Sequence, residues 1–197
     1  MLKIGLTGSI ASGKSEVGRM LAALGAYVVD ADRVAHQVYE PGSEGYARLI
    51  QAFGPDILAP DATIDRARLG ELVFADPALR RQLTDIVWPL TGEAIDGIAR
   101  EQEEAGAEVF VVEAPLLVDA GWQGYFDQVW LVRAAPEAAR PRLRSRGLSG
   151  TEIESRLAAA TNLEAAAAVA DVIIDNDGDL AALERAVKSA WQALPKA

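Results

Sequence analysis

The spacing of hydrophobic residues changes near the start of the chain, and the change separates two predicted elements. Hydrophobic residues first alternate with other residues, as they do in a β-strand: Leu2, Ile4 and Leu6. The next ones recur at the i, i+3, i+4, i+7 spacing of a helix face: Val17, Met20, Leu21 and Leu24. Gly25 then provides a helix stop signal. The pattern predicts a strand, a loop over residues 8–15 and a helix.

Four later hydrophobic runs predict the remaining strands: residues 26–29, 108–112, 129–132 and 172–174. The run at 108–112 is almost continuously apolar, as expected of a strand that is buried on both faces. It leads to Glu113, an acid at the carboxyl end of the strand. Because predicted helices separate the strands, we expect an α/β fold with a doubly wound, mostly parallel sheet of five strands.

The segment 33–107 interrupts the alternation of strands and helices. Hydrophobic spacing and helix start and stop signals predict helices at 33–39, around 46–53, from Pro77 and at 93–105. We interpret the segment as a helical insert between two strands of one sheet and expect it to supply the binding site for an acceptor molecule. The alternative is a second small core that binds no ligand.

Composition limits the classes of function. The chain has 197 residues, half of them hydrophobic, and this length favours one domain. Its net charge of −10 disfavours general binding of nucleic acid. It has no cysteine, and its single histidine, His36, cannot build a histidine metal cluster. No stretch approaches the roughly 20 apolar residues of a membrane helix, and no apolar leader precedes the first strand. We therefore expect a soluble cytoplasmic protein without a membrane partner; nothing forces oligomerisation, so a monomer is favoured.

The loop after the first strand fits the phosphate-loop pattern G-x-x-x-x-G-K-[ST] from Gly8 to Ser15. Glycines let consecutive backbone N–H groups surround a triphosphate, and the helix N-terminus adds further donors. Lys14 would reach the β- and γ-phosphates, and Ser15 would ligate the bridging Mg²⁺. The alternative is a glycine- and serine-rich connecting turn, which the complete pattern and its strand–helix setting disfavour. The predicted nucleotide-binding residues are Gly8, Ala11, Ser12, Gly13, Lys14, Ser15 and Glu16.

Two acids, Asp30 and Asp32, follow the second predicted strand. Ligands of open parallel sheets bind beyond the carboxyl ends of the strands, so we expect these acids beside the phosphate loop. If the chain stays extended, both side chains point the same way, because side chains of a strand alternate with a period of two. Such a pair can hold Mg²⁺ or accept a proton from a substrate hydroxyl. The alternative is that an acid caps the next helix.

The most cationic segment lies between the last two predicted strands and carries Arg140, Arg142, Arg144, Arg146 and Arg156. Residues four apart share a helix face, so Arg140 lies on the same face as Arg144, and Arg142 on the same face as Arg146. Pro141 is expected to bend this helix, and Ser149-Gly150-Thr151-Glu152 fits a capping box for another. The segment predicts a lid that brings positive charge to a transferring phosphate. The alternative is a solvated helix face.

The order of these segments resembles the dephospho-coenzyme A kinase family over nearly the whole chain. The matching segments are Leu6-Thr7-Gly8, Asp30-Ala31-Asp32, Glu40-Pro41-Gly42, Phe53-Gly54, Ile64-Asp65-Arg66, Val73-Phe74, Pro89-Leu90, Pro115-Leu116-Leu117, Gly147-Leu148-Ser149 and Ile174-Asp175-Asn176. A phosphate loop alone is shared by many kinases and switch proteins. The acid pair with Glu-Pro-Gly and the later Pro-Leu-Leu are far more specific.

The resemblance implies a single P-loop kinase domain that phosphorylates the ribose 3′-hydroxyl of dephospho-coenzyme A with ATP, giving coenzyme A and ADP. Its implied parts are a nucleotide-binding core (1–32, 108–135 and 165–197), a helical acceptor-binding region (33–107) and a lid (136–164). ATP and Mg²⁺ are the implied cofactors. The open alternatives are another small P-loop kinase, which acts on a nucleoside, a nucleotide or a metabolite alcohol, and a nucleotide-dependent switch protein.

The resemblance also implies roles for individual residues. The implied catalytic residues are Asp32, which activates the hydroxyl, with Lys14, Arg142 and Arg146. The implied acceptor-binding residues are Asp32, Arg66, Pro115 and Leu116, and Asn176 joins the nucleotide-binding residues. The implied magnesium ligands are Ser15 and Asp30.

Four residues depart from the family's pattern: Trp88 in place of histidine, Gly70 in place of arginine, and Ala139 and Ala160 in place of glutamines. One residue between Arg146 and Gly147 is also missing. These departures bear on the acceptor contacts and the lid geometry, and they leave the phosphate loop and the acid pair unchanged.

Overall fold

The structure, a computed structural model, describes residues 1–158 and 163–195. The chain divides into two units, which we call the core unit (residues 1–29 and 102–197) and the insert unit (residues 30–101). The insert unit overlaps most of the segment that interrupts the strand–helix alternation in the sequence. Each unit has its own hydrophobic core.

A sheet of five strands has the order β2-β3-β1-β4-β5. The strands are β1 (Leu2–Gly8), β2 (Tyr27–Asp30), β3 (Val109–Glu113), β4 (Gln128–Arg133) and β5 (Val172–Asp175). Strand β1 pairs in parallel with β3 and with β4, and β4 pairs in parallel with β5. This topology confirms the predicted doubly wound α/β fold.

The strand order reverses at β1, because β3 lies on one side of it and β4 on the other. In register, Leu6 is opposite Glu113 and Gly8 is opposite Val132. The carboxyl ends of these three parallel strands therefore meet at one edge of the sheet, where open α/β sheets bind their ligands. The phosphate loop begins at this edge.

The helices of the described residues are α1 (Lys14–Ala23), α2 (Ala31–Gln37), α3 (Glu44–Phe53), α4 (Arg66–Ala75), α5 (Pro77–Glu104), α6 (Pro136–Ser145), α7 (Gly150–Ala158), α8 (Leu163–Val169) and α9 (Leu180–Gln192). Two 3₁₀ turns lie at Pro55–Ile57 and Trp122–Tyr125. In the part of the chain that the structure describes, no helix combines the length and the apolar character needed to cross a bilayer.

The core unit packs helices α1 and α9 against the sheet. Strand β3 is buried at every position, as expected from its apolar run. The fully buried side chains of this cluster are Ile4, Leu6, Val17, Leu21, Val111, Trp130, Val132 and Val187. Trp130 Nε1 donates to Gln128 Oε1 at 2.8 Å, so the polar group of this large side chain is satisfied. These contacts give the phosphate loop a rigid base.

The insert unit has a smaller core of its own. Its buried residues are Leu49, Ile57, Ile64, Leu69 and Val87. Side-chain caps define where two of its helices begin: Ser43 accepts from the N–H of Tyr46, and Asp65 accepts from the N–H of Arg68.

Helix α5 differs from the sequence prediction. The helices predicted to start at Pro77 and to span 93–105 are one helix of 28 residues. The start itself is confirmed, since Asp76 Oδ1 accepts from the N–H of Ala78 at 2.7 Å. Buried residues recur every four positions through the predicted gap: Val87, Thr91, Ile95 and Ala99. This continuous buried stripe stabilises the helix across Pro89, which lacks an N–H and so removes one backbone hydrogen bond.

Helices α6 and α7 carry the predicted lid. Pro141 lies inside α6 and does not interrupt it, because Ala139 and Leu143 on either side are both 1 % exposed and anchor the helix. The predicted capping box is confirmed: the N–H of Ser149 donates to Glu152 Oε2 at 2.8 Å, and the N–H of Glu152 donates to Ser149 Oγ at 3.4 Å. Ala160, one of the departures from the family's pattern, lies outside the described residues.

Candidate active site

The phosphate loop joins β1 to α1 and contains two residues with left-handed backbone, Ala11 (φ 55°) and Gly13 (φ 92°). The carbonyl of Gly13 accepts from the N–H groups of Glu16 and Val17 at 2.9 and 3.0 Å, which starts α1. A Cβ at position 13 would lie 2.3 Å from Asn176 Nδ2. Glycine is therefore required there by conformation and by space, and the loop leads directly into the positive end of a helix.

A cavity of about 1090 Å³ lies at this loop. Its lining contains every core-unit residue that the sequence predicts for the site: Gly8, Ala11, Ser12, Gly13, Lys14, Ser15, Glu16, Pro115, Leu116, Arg142, Arg146 and Asn176. The structure thus gathers residues from four distant parts of the sequence around a space large enough for a nucleotide. The remaining predicted site residues, Asp30, Asp32 and Arg66, belong to the insert unit.

Positive charge is concentrated in the cavity although the whole chain has a net charge of −10. The cations in the lining are Lys14, Arg19, Arg142, Arg146 and Arg156, whereas the acids are Glu16 and Asp119. Arg19 forms an ion pair with Glu16 one turn earlier on α1. A cationic cavity in an acidic protein is suited to a polyanion such as a triphosphate.

Glu113 links the two reactive side chains of the loop. Its Oε2 accepts from Lys14 Nζ at 3.0 Å and from Ser15 Oγ at 3.1 Å. The Lys14 and Glu113 side chains are 14 % and 10 % exposed, so this ion pair is largely shielded from water. A Cβ at Gly18 would lie 1.9 Å from Glu113 Oε1, so the carboxylate fills the space that this glycine leaves.

The sequence indicates Glu113 only as an acid at the end of a strand and assigns it no role. Its partner Lys14 is 99 residues away in the chain. The available signal was the combination of an acid at the carboxyl end of a buried strand with a phosphate loop on another strand of the same sheet. Strand order was needed to show that these two strands are neighbours.

Arg142 and Asn176 fasten the loop to the end of β5. Arg142 Nη1 donates to the carbonyl of Ala11 at 3.1 Å, and Nη2 donates to the carbonyl of Asn176 at 2.8 Å and to its Oδ1 at 3.2 Å. Asn176 Nδ2 donates to the carbonyl of Ser12 at 2.7 Å, and Asn176 is only 6 % exposed. Both residues therefore help to hold the shape of the phosphate loop.

The other arginines of the predicted lid have different environments. Arg146 and Arg156 are exposed and line the cavity. Arg140 Nε and Nη2 donate to the Glu154 carboxylate at 2.8 and 3.2 Å, which joins α6 to α7. Ala139, Leu143 and Ile153 pack with Ala11 of the loop in one buried cluster. Ala139, a departure from the family's pattern, is thus a packing residue of this contact.

In the insert unit, the two acids do not share one extended strand. Strand β2 ends at Asp30, and α2 begins at Ala31. Asp30 Oδ1 accepts from the N–H groups of Asp32 and Arg33 at 2.9 and 3.4 Å, so Asp30 caps the helix. The condition for the two carboxylates to point the same way is not met. Asp32 instead lies exposed in the first turn of α2.

Arg66 is the first residue of α4 and is exposed. Its Nη1 lies 3.2 Å from His36 Nδ1, and its guanidinium carbon lies 5.9 Å from the centre of the Tyr39 ring. Burial and the neighbouring Arg66 charge lower the pKa of His36 below its ordinary value. Burial raises the pKa of Tyr39. Gly70, where the family often has arginine, lies one turn after Arg66, and a Cβ there would meet no atom within 4 Å.

A phosphate loop at the switch point of a parallel sheet, with a cationic cavity and arginine-bearing helices beside it, defines a P-loop nucleotide-binding protein of the kinase type. The chain belongs to the dephospho-CoA kinase family, since the family model described as "CoaE: Dephospho-CoA kinase" matches residues 2–182.

Individual relatives agree with the family model. The dephospho-CoA kinase of Streptomyces avermitilis is 45 % identical over 197 residues, covering 98 % of this chain and 94 % of the relative. The crystal structure of the Thermus thermophilus protein TT1252 superimposes with a TM-score of 0.82 at 32 % identity and covers 99 % of this chain and 98 % of its own. The dephospho-CoA kinase of Campylobacter jejuni gives a TM-score of 0.63 at 25 % identity over 96 % of this chain and 95 % of its own.

Proposed function

We propose that this chain transfers the γ-phosphoryl group of ATP to the ribose 3′-hydroxyl of dephospho-coenzyme A, which gives coenzyme A and ADP in the last step of coenzyme A biosynthesis. Family membership over residues 2–182 supports the reaction. The observation that carries the proposal is the complete phosphate loop on a cavity whose lining contains five cations. Phosphoryl transfer depends mainly on positioning and on neutralising the phosphate charges, and such a cavity provides both.

The core unit binds ATP in this proposal. Backbone N–H groups of the loop and of the first turn of α1 surround the phosphates, and Lys14 neutralises the β- and γ-phosphates. When ATP binds, Lys14 either leaves Glu113 to contact the phosphates or contacts Glu113 and the phosphates together. Asn176 and Arg142 keep the loop in the required shape through their bonds to Ser12 and Ala11.

The donor set also fits Mg²⁺, which prefers oxygen ligands and usually takes only one or two from the protein, the rest being phosphates and water. Ser15 Oγ and the Glu113 carboxylate lie together at the loop, and Asp30 is a further candidate ligand. Among the described residues, no group of three or more carboxylates and histidines could hold a metal by itself. When bound, the ion would neutralise charge on the β- and γ-phosphates.

Asp32 acts as the general base in this proposal. Its carboxylate accepts the proton of the 3′-hydroxyl while the hydroxyl oxygen forms a bond to the γ-phosphorus. The bond from the γ-phosphorus to the β–γ bridging oxygen breaks, and that oxygen leaves as part of ADP. Arg142 and Arg146 balance the negative charge on the transferred group.

The acceptor contacts are assigned to both units. Arg66 of the insert unit binds an anionic part of dephospho-coenzyme A, and Pro115 and Leu116 supply apolar contacts from the core unit. Leu116 is 51 % exposed and lines the cavity, so it can cover an apolar ligand surface without rearrangement of the core. We assign residues 33–107 to acceptor binding and 136–164 to the lid.

The direct test is mass spectrometry of dephospho-coenzyme A after incubation with the protein, ATP and Mg²⁺. We expect a gain of one phosphoryl group that depends on ATP. A panel of nucleosides, nucleotides and small alcohols, followed by ADP release, tests the alternative kinase. ATP hydrolysis that no acceptor changes, together with a stable protein complex, would support a switch protein instead.

A further inference from the structure

His36, Tyr39 and Arg66 form a cluster within the insert unit in which each pair is in contact. Arg66 Nη1 is 3.2 Å from His36 Nδ1. The Arg66 guanidinium carbon is 5.9 Å from the Tyr39 ring centre, within the range of a cation–π contact. The His36 and Tyr39 rings meet edge to face, with centroids 5.9 Å apart at 73°. The proposed phosphoryl transfer uses none of these contacts.

The contact between His36 and Arg66 determines the protonation of the imidazole. A guanidinium has only N–H donors, so Nδ1 can bond to it only by accepting. His36 must therefore be neutral and carry its proton on Nε2. If Nδ1 gains a proton, two donors and two positive charges face each other at 3.2 Å, and the contact becomes repulsive.

We propose that His36 is a positioning residue that holds the guanidinium of Arg66 ready for an anionic group of the acceptor, and that only the neutral imidazole does so. The role of Arg66 in acceptor binding rests on the proposed function, whereas the hydrogen bond does not. Tyr39 packs against the same guanidinium, so two neighbours restrict a side chain that is otherwise exposed. Restricting it before binding lowers the entropy lost when the acceptor binds.

The charged neighbours of His36 make this device sensitive to pH. Burial and Arg66 on α4 favour the neutral ring, while Asp32 and Asp30 at the start of α2 favour the charged ring. Burial and Arg66 have the larger effect, so the pKa of His36 lies below its ordinary value of 6.5. At neutral pH the ring accepts from Arg66. As the pH falls through the His36 pKa, the contact is lost and acceptor binding weakens.

NMR of the histidine tests the hydrogen bond without reference to activity. The chain has one histidine, so in untagged protein its ring signals need no assignment. We expect ¹⁵N shifts of a neutral ring protonated on Nε2 at pH 7.5, and a titration midpoint that rises in Arg66→Ala. Arg68→Ala, an exposed arginine on the same helix, is the control and should leave the midpoint unchanged. A ring protonated on Nδ1, or a midpoint that Arg66→Ala does not move, would overturn the proposal.

Kinetics test the positioning role. His36→Leu removes the acceptor atom and should raise KM for dephospho-coenzyme A about fivefold at pH 7.5, the effect of one hydrogen bond, with KM for ATP unchanged. His36→Asn keeps a nearby acceptor oxygen that does not titrate, so it should restore KM and abolish its rise toward pH 5.5. Equal KM values for His36→Leu and wild type would overturn the positioning role. If dephospho-coenzyme A is not phosphorylated at all while the NMR results hold, the proposed function fails and the His36–Arg66 contact stands.

Discussion

The phosphate loop of the core unit and the predicted site residues of the insert unit, Asp32 and Arg66, differ in how they are held in place. In the loop, side chains from other elements lock the backbone: Asn176 is 6 % exposed and holds Ser12, while the Glu113 side chain is 10 % exposed and holds Lys14. In the insert unit, Asp32 and Arg66 are exposed. The phosphate loop is therefore held in shape by buried contacts from other elements, whereas the residues of the proposed acceptor site are charges on a surface.

This difference predicts two kinds of mutational effect. Changes at the loop should alter nucleotide binding and stability together, because each loop residue supports its neighbours. Changes in the insert unit should alter turnover or acceptor affinity and leave stability nearly unchanged.

Asp32→Asn is expected to slow turnover by about 10²- to 10⁴-fold, the usual contribution of a general base. ATP affinity and thermal stability should stay close to wild type, because Asp32 is exposed and belongs to the insert unit. Steady-state kinetics with dephospho-coenzyme A, together with calorimetric ATP binding, measure both quantities.

The matched control is Glu44→Gln, another exposed acid in the first turn of an insert-unit helix, which should change turnover less than twofold. Unchanged turnover in Asp32→Asn would remove Asp32 from the proposed mechanism.

Lys14→Ala is expected to weaken ATP binding and turnover together, each by about 10²- to 10³-fold, as when one donor to a developing charge is removed. It also leaves the shielded Glu113 carboxylate without its cation, so the melting temperature should fall as well. Isothermal titration with ATP and a thermal melt test this pair of effects. Lys188→Ala, an exposed lysine on α9, should change neither, and wild-type ATP affinity in Lys14→Ala would contradict the loop assignment.

Gly18→Ala is expected to destabilise the protein by about 1 to 3 kcal/mol, the usual cost of overpacking. The added Cβ would lie 1.9 Å from Glu113 Oε1 and must displace the carboxylate that holds Lys14 and Ser15. Denaturant unfolding measures the loss, and ATP affinity should fall with it.

Gly97→Ala is the control, because it also lies inside a helix and its Cβ would meet nothing within 4 Å. It should stabilise the protein by about 0.5 to 1 kcal/mol through helix propensity. Destabilisation of the same size in both variants would show that the Glu113 contact is not the cause.

The smallest expected effect is a pH dependence of stability that comes from His36. Its pKa is below 6.5 in the folded protein, so near that pH the unfolded chain binds more protons than the folded one. The His36 contribution to stability is therefore present at neutral pH and declines as the pH falls below 6.5. Denaturant unfolding at pH 7.5 and 5.5 should show a smaller loss in His36→Asn than in wild type; a larger loss in the variant would contradict the sign.

Local sequence signals predicted the parts of the fold and site that depend on neighbouring residues. The phosphate loop, the five strands and the capping box at Ser149 each follow from a few consecutive positions. Local start and stop signals predict two helices in place of α5, because the buried stripe that makes it one helix depends on packing. The position of Asp30 was open for the same reason, since strand extension and helix capping both fit its local sequence.

Contacts between distant residues could not be predicted. The bonds of Arg142 to Ala11 and to Asn176 join residues 131 and 34 positions apart. The Arg66–His36 contact joins two helices that the sequence places 30 residues apart. The residue types indicated chemistry at these positions, but their partners depend on strand order and helix packing.

The bond from Asn176 to Ser12 has a consequence for the order of events during protein synthesis. The glycine-rich motif leaves the ribosome before the side chain that fixes its curvature, which follows Ser12 by 164 residues. A nascent chain arrested before β5 should therefore expose the motif without retaining nucleotide, and nucleotide binding should appear only when β5 and the following Asn176 have been made.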